Sequence, residues 1–192
     1  MGAAGLFIKT IMSSMLLHAK NIIGIKVVAL QDMRFVGRIS DGVVDPENGA
    51  ILALRLRKRH PWDITRVVAL HDVIEFYTDG ILIRDTDSVV RTDEVLRVRR
   101  IVDYHISLLG SSTMTQNGEQ LGTLRDFIFD ATLGILTTII VQKALSQEKR
   151  IMSSQRILSI LPGRVIIRDT MQRERVEIGL EKIRIPALTH ET

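Results

Sequence analysis

One unit is written twice in this chain. Laid on itself at a shift of 85 residues, Val36-Gly37-Arg38-Ile39-Ser40-Asp41 falls on Leu121-Gly122-Thr123-Leu124-Arg125-Asp126. Asp45, Gly49 and Lys58 then fall on Asp130, Gly134 and Lys143. At 86 Gly24 meets Gly110; at 84 Val73-Ile74 meets Ile157-Leu158, and Ile83-Arg84-Asp85-Thr86 meets Ile167-Arg168-Asp169-Thr170. The register changes by one residue near the start and again around positions 59–66. Surface turns tolerate such length changes and paired strands do not, so the constant stretches mark the strands of a duplicated fold.

Within each copy the segments are short and alternate. Leu52, Leu54 and Leu56 interleave with Ala53, Arg55 and Arg57, which predicts a strand with the leucines buried and both arginines outward. The second copy places Thr137, Ile139 and Val141 on the corresponding face, and its other face, Leu136, Thr138, Ile140 and Gln142, is more apolar. Turn residues punctuate the pattern at Asp45-Pro46-Glu47-Asn48-Gly49, Thr78-Asp79-Gly80, Asn117-Gly118 and Leu161-Pro162-Gly163. Closely spaced strands joined by tight turns point to an all-β fold of two small barrels. With aromatics at only 4%, the cores must be aliphatic.

The motif running from Val36-Gly37-Arg38 through Asp41 and Asp45 to Gly49 resembles the opening hairpin of the PRC-barrel family. Ile23–Val28 is similar to that family's first strand, and Thr65–Val73 to its return segment. The second copy matches at Leu109-Gly110, Leu121–Gly134 and Arg150–Ile157, with Thr123 in place of the arginine. The resemblance implies tandem, strongly bent barrels over residues 20–91 and 104–188. A linker with a short helix would span 92–103, between an extension (1–19) and a tail (189–192). The family includes the cytoplasmic part of the photosynthetic reaction-centre H subunit and a domain of a ribosome-maturation factor, both of which dock on larger assemblies. It offers no shared catalytic residues.

Two segments lie outside the repeat. Thr92 is an N-cap candidate for a helix running to about Asp103. Upstream, Phe7, Ile8, Ile11, Met12, Met15 and Leu16 share one face of a candidate amphipathic helix. It would dock on the barrels, on a partner or at a membrane surface, unless residues 1–14 are only a weakly ordered extension. No apolar run reaches the length of a membrane span, and no cleavage site follows the apolar start.

Little in the sequence points to catalysis. Asp41 and Asp45 recur as Asp126 and Asp130, but each pair flanks a turn, where aspartates accept from backbone N–H groups. The five histidines have no ligand spacing, cysteine is absent, and neither a phosphate loop nor a nucleophile elbow occurs. No cofactor or metal is expected.

Binding is the better expectation. Arg55, Arg57, Lys58 and Arg59 precede the sole tryptophan, Trp62, which would serve as an interface anchor or fold back over the barrel end. Arg97, Arg99 and Arg100 form a second basic cluster. The net charge is only +4, despite a pI near 9.7, which argues against a dedicated nucleic-acid binder. The leading expectation is a cytoplasmic adaptor for a protein assembly. An RNA- or ribosome-associated factor comes second, and a membrane-peripheral subunit third.

Overall fold

A computed structural model describes residues 15–169. The chain is mostly β, arranged as two curled seven-stranded sheets. It begins with a strand, β1 (Leu16–His18), and a single helical turn, α1 (Ala19–Ile22). The first half then forms β2 (Lys26–Ala29), β3 (Arg34–Val44), β4 (Ile51–Leu56), β5 (Arg66–Ala69), β6 (Val73–Phe76), β7 (Gly80–Ile83) and β8 (Val89–Arg91). A helix, α2 (Leu96–Asp103), leads to the second half. That half comprises β9 (Ser112–Thr115), β10 (Gln120–Asp130), β11 (Ile135–Gln142), β12 (Lys149–Ser153), β13 (Ile157–Leu161) and β14 (Arg164–Ile167).

The two sheets share one strand order. The first runs β6-β7-β2-β3-β4-β5-β8 and the second β13-β14-β9-β10-β11-β12, with β1 added on β10. The register repeats too, at the shifts the sequence predicts. Ile39 lies opposite Leu56 and Leu124 opposite Val141; Gly42 faces Leu54 and Phe127 faces Ile139. Parallel pairing of Val27 with Ile81 recurs as Thr113 with Val165. Even the irregularities recur. Val36 and Leu121 are each skipped by the neighbouring ladder, and both are buried. A bulge bends a strand and sharpens its twist, so the long β3 and β10 each serve two partners, β2 and β4 or β9 and β11.

The repeat is not uniform in backbone detail. Gly122 has φ +133°, and a Cβ there would stand 2.0 Å from the carbonyl oxygen of Gln142. At the corresponding Gly37 a Cβ would touch only the Leu56 side chain, at 3.5 Å. Glycine is obligatory at one position and merely present at the other.

The halves meet across a local two-fold relation. Ala50 bridges Ile135, its own counterpart in the repeat. Ile51 N donates to Gly134 O at 2.8 Å, and Leu136 N donates to Gly49 O at 3.0 Å. One apolar core, mostly aliphatic, runs through both halves, from Val27, Ile39, Leu54 and Leu56 to Leu124, Phe127, Ile139 and Val165.

The segments leading into the halves cross over. β1 precedes the first half but pairs with β10 of the second, Leu16 opposite Asp130. His18 Nδ1 lies 2.7 Å from Asp126 Oδ2, and Lys20 N donates to Asp126 Oδ1 at 3.0 Å. Reciprocally, Ser107 ahead of the second half donates to Asp41 of the first at 2.9 Å.

Four expectations change. Leu54 and Leu56 are buried as predicted, but Leu52 is half-buried and faces the other way, packing toward Val43, Ala53 and Val67 beneath Val98 and Ile101 of α2. A second bulge, where the β3–β4 register slips between Val43 and Val44, turns it. Arg55 is half-buried rather than outward, because its guanidinium reaches the buried Asp41 at 2.7 Å. Thr92 is no helix cap: it is buried at the start of a short 3₁₀ turn, and α2 is preceded by Val95 with no side-chain cap. Leu16 lies in a strand instead of the amphipathic helix. Phe7, Ile8, Ile11 and Met12 lie outside the described residues, as does the expected second-unit boundary at 188.

Candidate binding surface

The loop between β4 and β5 holds the most exposed Phe, Tyr or Trp ring of the described residues. Trp62 is 80% exposed, so it does not fold back over the barrel end. The loop is closed on itself: His60 N donates to Asp63 Oδ2 at 2.9 Å, and Asp63 N to His60 O at 3.1 Å. That turn sets the Trp62 ring on the His60 ring, with centroids 5.1 Å apart and planes within 5°. Holding a large ring in place while leaving it in water preorganises it for contact.

The same loop carries three cations. Arg57, Lys58 and Arg59 make no ion pair within 4.0 Å among the described residues, whereas Arg55 is held by Asp41. With His60 and Pro61 they line a shallow cleft of about 430 Å³. The equivalent loop of the second half presents Leu145, fully exposed and at φ +57°, where the first has His60.

The second basic cluster lies elsewhere and is largely engaged. Arg97 pairs with Asp45 and, at 3.0 Å, with Glu47. Arg99 reaches Asp103 at 3.3 Å. Arg100 remains unpaired among the described residues. Asp45 lies before β4 and Arg57 after it, so roughly 20 Å of strand separates the clusters. Nearby, the Arg91 guanidinium, hydrogen-bonded to Asp93 at 2.7 Å, holds that carboxyl below its ordinary range.

Compared with known protein families and with curated proteins, the chain matches none. Its function must be argued from its own geometry.

The repeated aspartates are occupied by protein donors. Asp45 Oδ1 accepts from Glu47 N at 3.0 Å, and Asp130 Oδ1 accepts from Thr132 N at 2.9 Å. Asp41 and Asp126 likewise accept from the next residue's N–H, both at 2.9 Å. Asp45 and Asp130 fasten turns, as their sequence context predicts, whereas Asp41 and Asp126 lie within β3 and β10 beside bulges. Among the described residues no three His, Asp or Glu side chains gather as a metal site, and no helix is long and apolar enough to cross a membrane.

Proposed function

We propose that this chain is a non-enzymatic adaptor of the PRC-barrel type, presenting two small barrels to a larger protein assembly and docking through the Trp62 loop. One observation carries the reading: a solvent-facing Trp62, stacked on His60, in the same loop as Arg57, Lys58 and Arg59. Tryptophan and arginine are enriched among interface hot spots, the ring through the apolar area it buries and the guanidinium through bidentate hydrogen bonds and stacking. The aspartates that might suggest acid–base chemistry are engaged by backbone N–H groups, and Asp41 and Asp126 also by Arg55, Ser107 and His18. The cytoplasmic setting belongs to the same proposal.

The unpaired cations support a second reading, RNA binding through phosphates. The two readings separate cleanly. Phosphate neutralisation releases counterions, giving a log–log salt slope of about −0.7 per phosphate on a single strand. Desolvated aromatic contact responds modestly to salt. Affinity purification with the full chain and with Trp62→Ala, followed by salt titration of the captured partner, is the test. Loss of a protein partner with Trp62→Ala, by about 2 kcal/mol or more, supports the adaptor. A steep slope, flattened by Arg57→Glu with Arg59→Glu and indifferent to Trp62→Ala, overturns it in favour of RNA.

A further inference from the structure

The two halves differ beside the contact that joins them. In the first half Leu70 opens the 3₁₀ turn after β5 and lies over the junction: a Cβ on Gly134 would stand 3.2 Å from its Cδ2. At the shift of 84 its counterpart is Ser154, which opens the matching turn after β12. Ser154 instead donates from Oγ to Leu136 O at 2.6 Å. It does not reach Gly49, the counterpart of Gly134, where a Cβ would meet only Leu136 Cβ, at 3.7 Å. The place that Leu70 fills in one half is a cleft of about 500 Å³ in the other. Leu136, Ile157 and Ile160 give it an apolar lining, and at its mouth Ile135 and Leu158 are each 43% exposed. The filler and its replacement are both described residues, so the cleft comes from a change of side chain.

We infer that this cleft binds a leucine side chain of a protein partner. The first half shows what the space accepts, a branched aliphatic group packed against a glycine at the junction. Burial of that group against the aliphatic lining is the driving force. Charge then decides the source of the leucine. Among the described residues Glu47 is the one charged residue lining the cleft, and Arg97 holds it at 3.0 Å. A free amino acid would find no cation there for its carboxylate and would have to desolvate it unpaired. A leucine inside a polypeptide carries neither terminal charge. Its flanking peptide groups would meet the side-chain amides of Asn48 and Gln155, which line the cleft and can both donate and accept. No residue of the Trp62 loop lines the cleft, and the inference stands without that loop's role.

The probe is the acetylated and amidated peptide Ala-Leu-His, the chain's own Ala69–His71, titrated into the full-length protein and followed by methyl and backbone amide NMR. Saturable shifts at Gly49, Ile135 and Leu158 are the expected result. Replacing the peptide's leucine with alanine should weaken binding about tenfold or more, and free leucine should produce no such shifts. In the protein, Ser154→Leu restores the filling seen in the first half, so it should hold or raise the melting temperature and abolish binding. Leu158→Ser, at an exposed position, should leave the fold intact and weaken binding. Four results would overturn the inference: absence of saturable binding, equal binding of the alanine peptide, undiminished binding in both variants, or free leucine binding as tightly as the peptide, which would assign the cleft to a small molecule. Nuclear Overhauser contacts from the Leu158 methyls to residues 1–14 or 170–192 before peptide is added would also overturn it, by assigning the cleft to the chain itself.

Discussion

Gly122→Ala and Gly37→Ala occupy the same place in the repeat and should have opposite fates. At Gly122 the backbone sits at φ +133°, where L side chains are strained by about 1–3 kcal/mol. The new Cβ would also stand 2.0 Å from Gln142 O and 2.9 Å from Lys143 Cα, both backbone atoms. Relief requires moving the end of the β10–β11 ladder, which on the scale of overpacked sites costs a further 1–3 kcal/mol or so. The total is about 2–6 kcal/mol. For a chain of this size each kcal/mol lowers the melting temperature by roughly 2–4 °C, so a fall of about 5–20 °C is expected. Gly37→Ala meets only a side chain at 3.5 Å and has no positive φ. There, restricting the unfolded chain offsets the contact, and the change should stay within about 1 kcal/mol. Thermal unfolding followed by circular dichroism compares the two directly. Equal shifts would refute the assigned backbone difference between the halves.

Leu54→Ala removes a side chain with 0% exposure from the shared core and should cost about 2–5 kcal/mol by denaturant unfolding; a change within error would show the strand face to be misassigned. Asp126→Ala strands the Phe127 and Lys20 N–H groups, costing about 1–3 kcal/mol. It should also speed exchange of the Ala131 amide, which donates to Met15 O at 2.8 Å; unchanged protection of that amide would show that β1 is held by pairing alone. Arg91→Ala removes the cation that holds Asp93 low, so the Asp93 carboxyl should titrate at higher pH by NMR. Trp62→Ala, at an exposed position, should leave the melting temperature unchanged while abolishing partner capture.

The strands and their register were legible because a repeat compares the chain with itself, cancelling the ambiguity of short apolar runs. Shifts of 86, 85 and 84 reappear in the ladders of β2, β3 and β5 against their counterparts. Leu52 was misread because strict alternation ignores a bulge, and a bulge lies in the partner's geometry as much as in the strand's own residues. Arg55 was misread because its acid, Asp41, is its cross-strand neighbour, whose carboxylate had been assigned to the turn alone. The placement of β1 on β10 left no local trace, since it depends on contacts more than a hundred residues apart. Trp62 and its cations were visible as composition, yet only the closed His60–Asp63 turn decides that the ring faces water.

The contact of Ala50 with Ile135 has a consequence for ancestry. Equivalent residues that face each other across a two-fold relation are the signature of an isologous interface, the kind that joins identical subunits. A single ancestral unit carried both sides of this contact at once, because Gly49, Ala50 and Ile51 stand where Gly134, Ile135 and Leu136 stand. It could therefore have paired with itself, exchanging lead-in segments as β1 and the Ser107 segment do now. Duplication and fusion would then have turned a concentration-dependent dimer into one molecule. Once the two sides were encoded separately they were free to diverge, and one could acquire the stacked His60 and Trp62 while the other presents Leu145 where His60 stands.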